Sequence, residues 1–305
     1  MTLFLYRFGP AIAALLIALV ASFIRRKSHL QLPKPVRRWT FIGMVVALGC
    51  MITFTAWSVW PWWIPPLGED EVLFLLLARY LVPLILSIAA LVWLIVPAPD
   101  PGPSGTAALA PRTLMTFTSR ARLGTMLCVL AGVVAITFLA GLASDPDENG
   151  RHVIYEVQTS STNTASTTIY GWWFSTPCLI LIAVLVLTAL IGTIVISRPA
   201  LGVDAGIDSA IRAARVRNIL MVSTGGLLLH LSAVLQSLSA TSSLRTGMAA
   251  GPAGLIEFGT SFAAIGPALQ VASLISYILG LALWSSTLLS VLPIGMRQTS
   301  QPVSA

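Results

Sequence analysis

The sequence predicts an all-α, polytopic transmembrane bundle of about seven spans, with the N-terminus outside and the C-terminus in the cytoplasm. Three observations predict it. Only 10% of the 305 residues are charged and 56% are apolar, whereas soluble domains carry about 25% charged residues. The apolar residues gather into runs long enough to cross a bilayer, giving a mean hydropathy of +0.87. The basic residues gather in alternate connections between those runs. Together these exclude a soluble enzyme, a secreted disulfide scaffold and a disordered chain.

A hydrocarbon core of ~30 Å takes about 20 helical residues. Seven runs qualify: Leu3–Ile24, Thr40–Trp60, Val72–Val96, Gly124–Ala143, Phe174–Ser197, Asn218–Ser239 and Pro267–Leu292. The first is read as a retained helix rather than a cleaved signal. Its flanking charges, Arg25, Arg26 and Lys27, follow the apolar core instead of preceding it. The chain reads as a single integral membrane domain over residues 1–305.

Orientation follows from the cations. Arg25, Arg26, Lys27, Lys34, Arg37 and Arg38 lie in connection 22–40, and Arg112, Arg120 and Arg122 in 97–123. Arg198, Arg212, Arg215 and Arg217 lie in 198–217, and Arg297 in the tail. These fourteen of the eighteen basic residues fall on one side, which the positive-inside rule makes cytoplasmic. Arg7, Arg151 and Arg245 fall opposite, and Arg79 lies inside a run. Six of the nine tryptophans, Trp57, Trp60, Trp62, Trp63, Trp172 and Trp173, gather at the outer interface, where an indole buries its ring and keeps its N–H wet. The high arginine-to-lysine ratio suggests a bacterium and hence its cytoplasmic membrane.

Each out-to-in run carries a proline toward its outer end: Pro10, Pro83, Pro177 and Pro267. Segments 82–98 and 119–132 resemble 176–200 and 212–226, which suggests a parallel hairpin repeat. Small residues four apart, Ala131 and Ala135, Ala189 and Thr193, and Ser276 and Gly280, suit close helix contacts. Connection 97–123 begins with a Pro/Gly/Ser-rich stretch and reads as a flexible cytoplasmic linker. The longest outer connection, 144–173, has β-branched and aromatic content that allows a short hairpin on the membrane. Segment 247–266 is Gly/Ala-rich and reads either as a re-entrant piece or as an ordinary outer loop.

Few residues carry chemistry. Arg79 is the charge well inside a run, and an intramembrane charge is a functional candidate. Snorkelling, or an ion pair with Glu257, is the structural alternative. His230, near the middle of the sixth run, suits a ligand, a proton relay or an interhelical hydrogen bond. Gln236 and Gln270 lie toward the outer side, where they line a polar pathway with Arg79 and His230 or bind helices together. Glu69, Asp70 and Glu71 open the third run. They complement the helix dipole or, with Asp145, Asp147 and Glu148, supply oxygens to a cation or substrate phosphate.

Other signatures are missing from the sequence. The only lysines, Lys27 and Lys34, lie outside the runs, which removes a retinal Schiff base. His29 and His152 fall on opposite sides of the membrane, which disfavours a bis-histidine haem. No GxxxxGK[ST], GxSxG or HExxH occurs. The cysteines, Cys50, Cys128 and Cys178, form no metal pattern, although Cys50 and Cys178 both fall toward the outer face, which leaves a disulfide between them open. No cofactor and no metal is expected. The lipid bilayer is the expected partner, with other membrane proteins or a separate ATPase subunit beside it, and nucleic acid is not.

These features fit a non-enzymatic, permease-like or accessory subunit of a transport or envelope assembly. An autonomous carrier using Arg79 and His230 is the second reading. A membrane enzyme on lipid-linked substrates, using Glu69, Asp70 and Glu71, is the third. The orientation is testable directly: reporter domains fused after Gly105 and after Ser160 are expected to report cytoplasm and exterior respectively, and the opposite pair of signals overturns it.

Overall fold

A computed structural model of the chain describes residues 2–24, 32–57, 68–96, 117–158, 164–197, 205–249 and 255–292. Seven helices appear among them: α1 Thr2–Ile24, α2 Lys34–Trp57, α3 Glu69–Ile95, α4 Arg120–Leu142, α5 Trp172–Ser197, α6 Ala205–Ser242 and α7 Gly266–Leu289. The six from α2 to α7 are long and apolar enough to cross a membrane, and α1 adds an apolar stretch over Gly9–Ile24. Five short strands join them: β1 Asp145–Pro146, β2 His152–Gln158, β3 Thr164–Thr168, β4 Arg245–Ala249 and β5 Leu255–Gly259.

The bundle is built around α6. Over its most apolar stretch α6 is 83% buried, against 22–28% for the other five spans. It packs on α3, α4, α5 and α7, most extensively on α7. Two adjacent glycines let neighbours approach from different sides. A side chain on Gly226 would lie 1.8 Å from Ser87 Oγ of α3, and one on Gly225 would lie 2.6 Å from the Trp284 ring of α7. Gly280 of α7 meets the Gly225 carbonyl in the same way, at 2.9 Å. Small residues allow such close backbone contact where lipid supplies no hydrophobic drive between helices.

Polar groups tie α6 to α7 along the whole antiparallel contact. Asn218 Nδ2 donates to Ser290 Oγ at 3.3 Å and Trp284 Nε1 to the Val222 carbonyl at 3.1 Å. Further along, Ser273 Oγ donates to the Ser232 carbonyl at 2.8 Å and Ser239 Oγ to the Gly266 carbonyl at 3.1 Å. These bonds give interior partners to polar groups that lipid would leave unsatisfied.

Two helices begin more than a turn earlier than the hydropathy runs suggested. The sixth run was expected to start at Asn218, but α6 extends back to Ala205. Arg212, Arg215 and Arg217 are therefore helical residues instead of connection residues, and the first two are 1% and 6% exposed. Arg212 pairs with Asp208 one turn earlier at 2.9 Å and donates to the Ile196 carbonyl at the end of α5. Arg215 donates to the Leu94 and Ile95 carbonyls at the end of α3, both at 3.3 Å. The last carbonyls of a helix lack an internal partner and carry its negative dipole end, so these guanidiniums cap two helices at once. The second run likewise begins at Lys34, which makes Arg37 and Arg38 helical. In the expected linker 97–123, residues 97–116 lie outside the described part, and Arg120 and Arg122 already belong to α4.

The other end of the bundle carries the strands. Segment 144–173 forms the anticipated hairpin, with β2 antiparallel to β3 and β1 added at the other edge. Segment 247–266 is not a plain loop in its described part. That part is an antiparallel β4–β5 pair followed by a 3-10 turn at Ala263–Ile265. The Gly/Ala content hid those strands, since both residues are poor strand formers.

The suggested hairpin repeat has no counterpart in the packing. α5 packs along α6, while α3 packs on α2, α5 and α6 rather than along α4. Ala131 and Ala135 of α4 face outward; Val133, Thr137 and Ala140 make its buried face. Ala189, Ser276 and Gly280 are buried as expected, and Thr193 is half-buried. The three cysteines are free, with Cys50 and Cys128 exposed and Cys178 buried.

The α3–α6 contact gives a stability prediction. Gly226→Val should destabilise the bundle by about 1–3 kcal/mol, as overpacking does, and lower its unfolding temperature in detergent. The same change at the open Gly132, which has no neighbour within 4 Å, should have little effect.

Candidate functional site: a polar cavity around Arg79

Arg79 stands ten residues after the start of α3, about 15 Å along the axis at 1.5 Å per residue. Four residues later comes Pro83, which has no N–H to donate to the Arg79 carbonyl and disturbs the turn before it. At this level α3 faces α6, and Arg79 Nη2 donates to Gln236 Oε1 across the contact. The two residues line a cavity of about 240 Å³ that is bounded by four helices and at which Gln236 is exposed. α2 contributes Met51, Phe54 and Thr55; α3 contributes Arg79 and Pro83; α6 contributes Leu229, Ser232, Ala233 and Gln236; α7 contributes Tyr277. Of these ten residues one is a cation and none is a carboxylate.

The hydroxyl protons around this cavity are already committed. Thr55 Oγ1 donates to the Met51 carbonyl at 2.8 Å, so its 3.3 Å contact with Tyr277 uses the phenol as donor. Ser273 Oγ donates to the Ser232 carbonyl, so the 3.2 Å contact between the two serine hydroxyls uses Ser232 as donor. Arginine can only donate, and a hydroxyl whose proton is used can only accept. The lining therefore combines donors, at Arg79 and the Gln236 amide, with hydroxyls at Thr55, Tyr277 and Ser232 whose protons are already used.

His230 lies behind this cavity, not in its lining. It is fully buried, and its Nδ1 contacts the Tyr80 carbonyl at 3.0 Å. A carbonyl only accepts, so the proton sits on Nδ1, and Nε2 faces the Tyr170 hydroxyl at 3.5 Å as an acceptor. Tyr80, Tyr170 and Phe174 pack around it, with ring centroids 4.6 Å apart for the two tyrosines and 5.5 Å for Tyr80 and Phe174. The interhelical hydrogen bond is thus the arrangement present. It supplies a partner to the α3 backbone in the turn that Pro83 disturbs.

The other sequence candidates lie elsewhere. Gln270 is exposed at the strand-bearing end of α7. Glu257 sits on β5 opposite Gly247, and its side chain is outside the described part. Thr55, Ser232 and Tyr277 were missed by sequence reasoning. Hydroxyls within apolar runs are common, and only the fold shows which of them share a cavity.

Asp70 of the acidic trio is held by Arg151, which the sequence did not single out. Glu71 accepts the Gly68 N–H at 3.1 Å at the start of α3. Arg151 binds Asp70 at 2.6 Å and Asp147 at 2.7 Å, joining the β1–β3 sheet to α3. Asp147 also accepts the backbone N–H groups of Asn149 and Arg151, at 2.9 Å and 2.8 Å. Among the described residues no group of three or more His, Cys, Asp and Glu side chains is placed to hold a metal ion. Desolvation pushes the Asp147 carboxyl up, but the hydrogen bonds and charge of Arg151, with the Asn149 N–H, outweigh it and hold it below its ordinary value. Asp70 first, then Asp147, hold Arg151 above its ordinary value.

Comparisons with protein-family models, with curated proteins and with solved structures find no match for this chain. Function therefore rests on the geometry of the site.

The Arg151 clasp predicts an acid-sensitive sheet. A carboxyl whose folded pKa is depressed contributes stability above its unfolded value and loses it as pH falls through the folded one. For Asp147 the contribution is complete above pH 3.8, the ordinary value, and disappears below it. Amide protection at Asn149 and Arg151, corrected for intrinsic exchange, should fall as pH drops below 3.8. In Asp147→Asn it should already be low at neutral pH.

Proposed function

We propose that the chain is a permease-like, multi-pass protein of a bacterial cytoplasmic membrane, which takes a small ligand into the cavity between α2, α3, α6 and α7 without transforming it. The observation that carries this reading is the Arg79–Gln236 pair inside a cavity of about 240 Å³. Translocon-based scales put an arginine at a bilayer centre at about 2.5–3.5 kcal/mol. An arginine kept at that depth beside a neutral amide and a cavity fits recognition of a polar solute. The capping arginines Arg212 and Arg215 then mark the cytoplasmic end, and the strands and the Arg151 clasp face outward.

A second reading, an accessory subunit of a larger assembly, draws on α1. It packs chiefly along α7, and Leu15, Leu16, Val20 and Phe23 remain 48–70% exposed. That face meets lipid or a partner helix.

The carrier reading is tested in cells. Strains lacking the chain, or carrying it as wild type, Arg79→Ala or Gln236→Ala, are compared by untargeted profiling of small solutes inside and outside. Wild type should shift the distribution of at least one solute, and both variants, at equal membrane levels, should abolish most of that shift. A shift of full size in Arg79→Ala overturns the assignment. Crosslinking after mild extraction tests the subunit reading, which expects a stoichiometric membrane partner.

A further inference from the structure

The two long faces of α2 differ in what they meet. One face, with Val36, Thr40, Met44, Ala47 and Met51, is buried, and α2 packs on α3 and α7. On the other, Lys34 and Arg38 are exposed in line with Phe41, Val45 and Ile52, which are 40–44% exposed. Their spacing keeps these five residues on one side of a helix. We propose that this outward face is a binding site for an anionic phospholipid, with the phosphate between Lys34 and Arg38 and an acyl chain along Phe41, Val45 and Ile52. The site is separate from the cavity at Arg79 and does not rest on the reading of that cavity as a ligand site.

Charge sets the headgroup. Glu69 is the first acid in the sequence, so neither α2 nor the connection before it supplies a carboxylate. Asp208, at the same end of the bundle, is paired with Arg212. Among the described residues neither Lys34 nor Arg38 takes part in an ion pair. Four residues apart, they stand about 6 Å apart along the axis, so both side chains can reach one phosphate. A zwitterionic headgroup would bring its ammonium to the same pair of cations, with no carboxylate there to receive it. An anionic phospholipid brings only the charge that the pair lacks. At a membrane surface each Lys or Arg gains about fivefold from anionic lipid.

The apolar continuation sets the source. A free phosphate would need the cations alone. Here Phe41 follows Arg38 by less than a turn, and Phe41 to Ile52 runs about 16 Å, close to one leaflet of a ~30 Å hydrocarbon core. Trp39, 44% exposed beside Arg38, places an indole at the depth where headgroup and chain meet.

The test uses the full chain in nanodiscs of phosphatidylcholine that contain a minor fraction of one photoactivatable probe. The probe is phosphatidylglycerol or phosphatidylcholine with a diazirine on the acyl chain. Labelling of α2 over residues 39–52 is mapped by mass spectrometry and normalised to that of Ile180 and Leu187, exposed apolar residues of α5. On wild type at low salt the anionic probe should exceed the zwitterionic one by roughly five- to twentyfold. At molar salt, where the screening length falls to about 3 Å, most of that excess should be lost. Lys34→Gln with Arg38→Gln should bring the ratio to about one, and Lys34→Arg with Arg38→Lys should keep it. Both side chains are exposed, so these changes leave the packed face of α2 intact.

Equal labelling of wild type by the two probes overturns the proposal without any variant having to fold. An excess undiminished in the double glutamine variant overturns the site, since the preference for anionic lipid then arises elsewhere. Loss of the excess to soluble glycerol phosphate, beyond that caused by chloride of equal ionic strength, overturns the phospholipid assignment, because the acyl chain then adds nothing.

Discussion

Enclosure of α6 is the constraint on which the rest of the structure depends. A helix in lipid gains nothing from simple apolarity, because the surrounding tails are equally apolar. What holds α6 in the centre is close approach and interior hydrogen bonding. The glycine pair at 225 and 226 admits Trp284 on one side and Ser87 on the other, and the serines and Asn218 find partners on α7. Once α6 is fixed between α3 and α7, Gln236 meets Arg79, and His230 meets the backbone of α3. The cavity follows from the central helix being polar enough to need partners and small enough to be surrounded.

The two ends of the bundle solve the same electrostatic problem with opposite signs. At one end Arg212 and Arg215 sit almost fully buried, and Arg212 pairs with Asp208. The ends of α3 and α5 add about half a negative charge each, which offsets part of the charge of these cations. At the other end the first turn of α3 carries three acids at the positive pole of its dipole, and Arg151 gathers Asp70 and Asp147. Cations that read as topology signals in the sequence are thus also structural caps. The two roles are compatible, because a helix that enters the cytoplasm ends there in unsatisfied carbonyls.

Much of the helical plan could be read directly, and the reasons for the remainder are physical. Runs of apolar residues mark where lipid is faced, so spans such as α3 and α5 were found within a few residues. Hydropathy cannot mark a helix that continues beyond the apolar zone, which is why the first turns of α6, with three arginines, read as a connection. Nor does it rank helices by burial. The central helix is less apolar than its neighbours, and the sign of its position was the Gly-Gly pair with its serines. Arg79, His230 and Gln236 were visible because polar groups in apolar runs stand out. Their grouping was not, since Gln236 reaches Arg79 while His230 turns to Tyr80 and Gln270 faces outward. Thr55 and Tyr277 lie 222 residues apart, and no local pattern joins them.

Pro83 shows how the site and the fold constrain one another. Proline in the middle of a span leaves a carbonyl without its helical donor and loosens the preceding turn. In water that turn would be solvated; in lipid something in the protein must serve it. His230 donates to Tyr80 within that turn, and Ser87 donates to the Pro83 carbonyl itself. The same loosened turn carries Arg79. The carbonyl that Pro83 leaves without its helical donor is that of Arg79; His230 serves the next one, and the Ser87 bond is the same back-bond to the preceding turn that Thr53, Thr125 and Thr188 make in their helices. His230 is thus held to the α3 backbone one residue after Arg79, in the turn that Pro83 loosens.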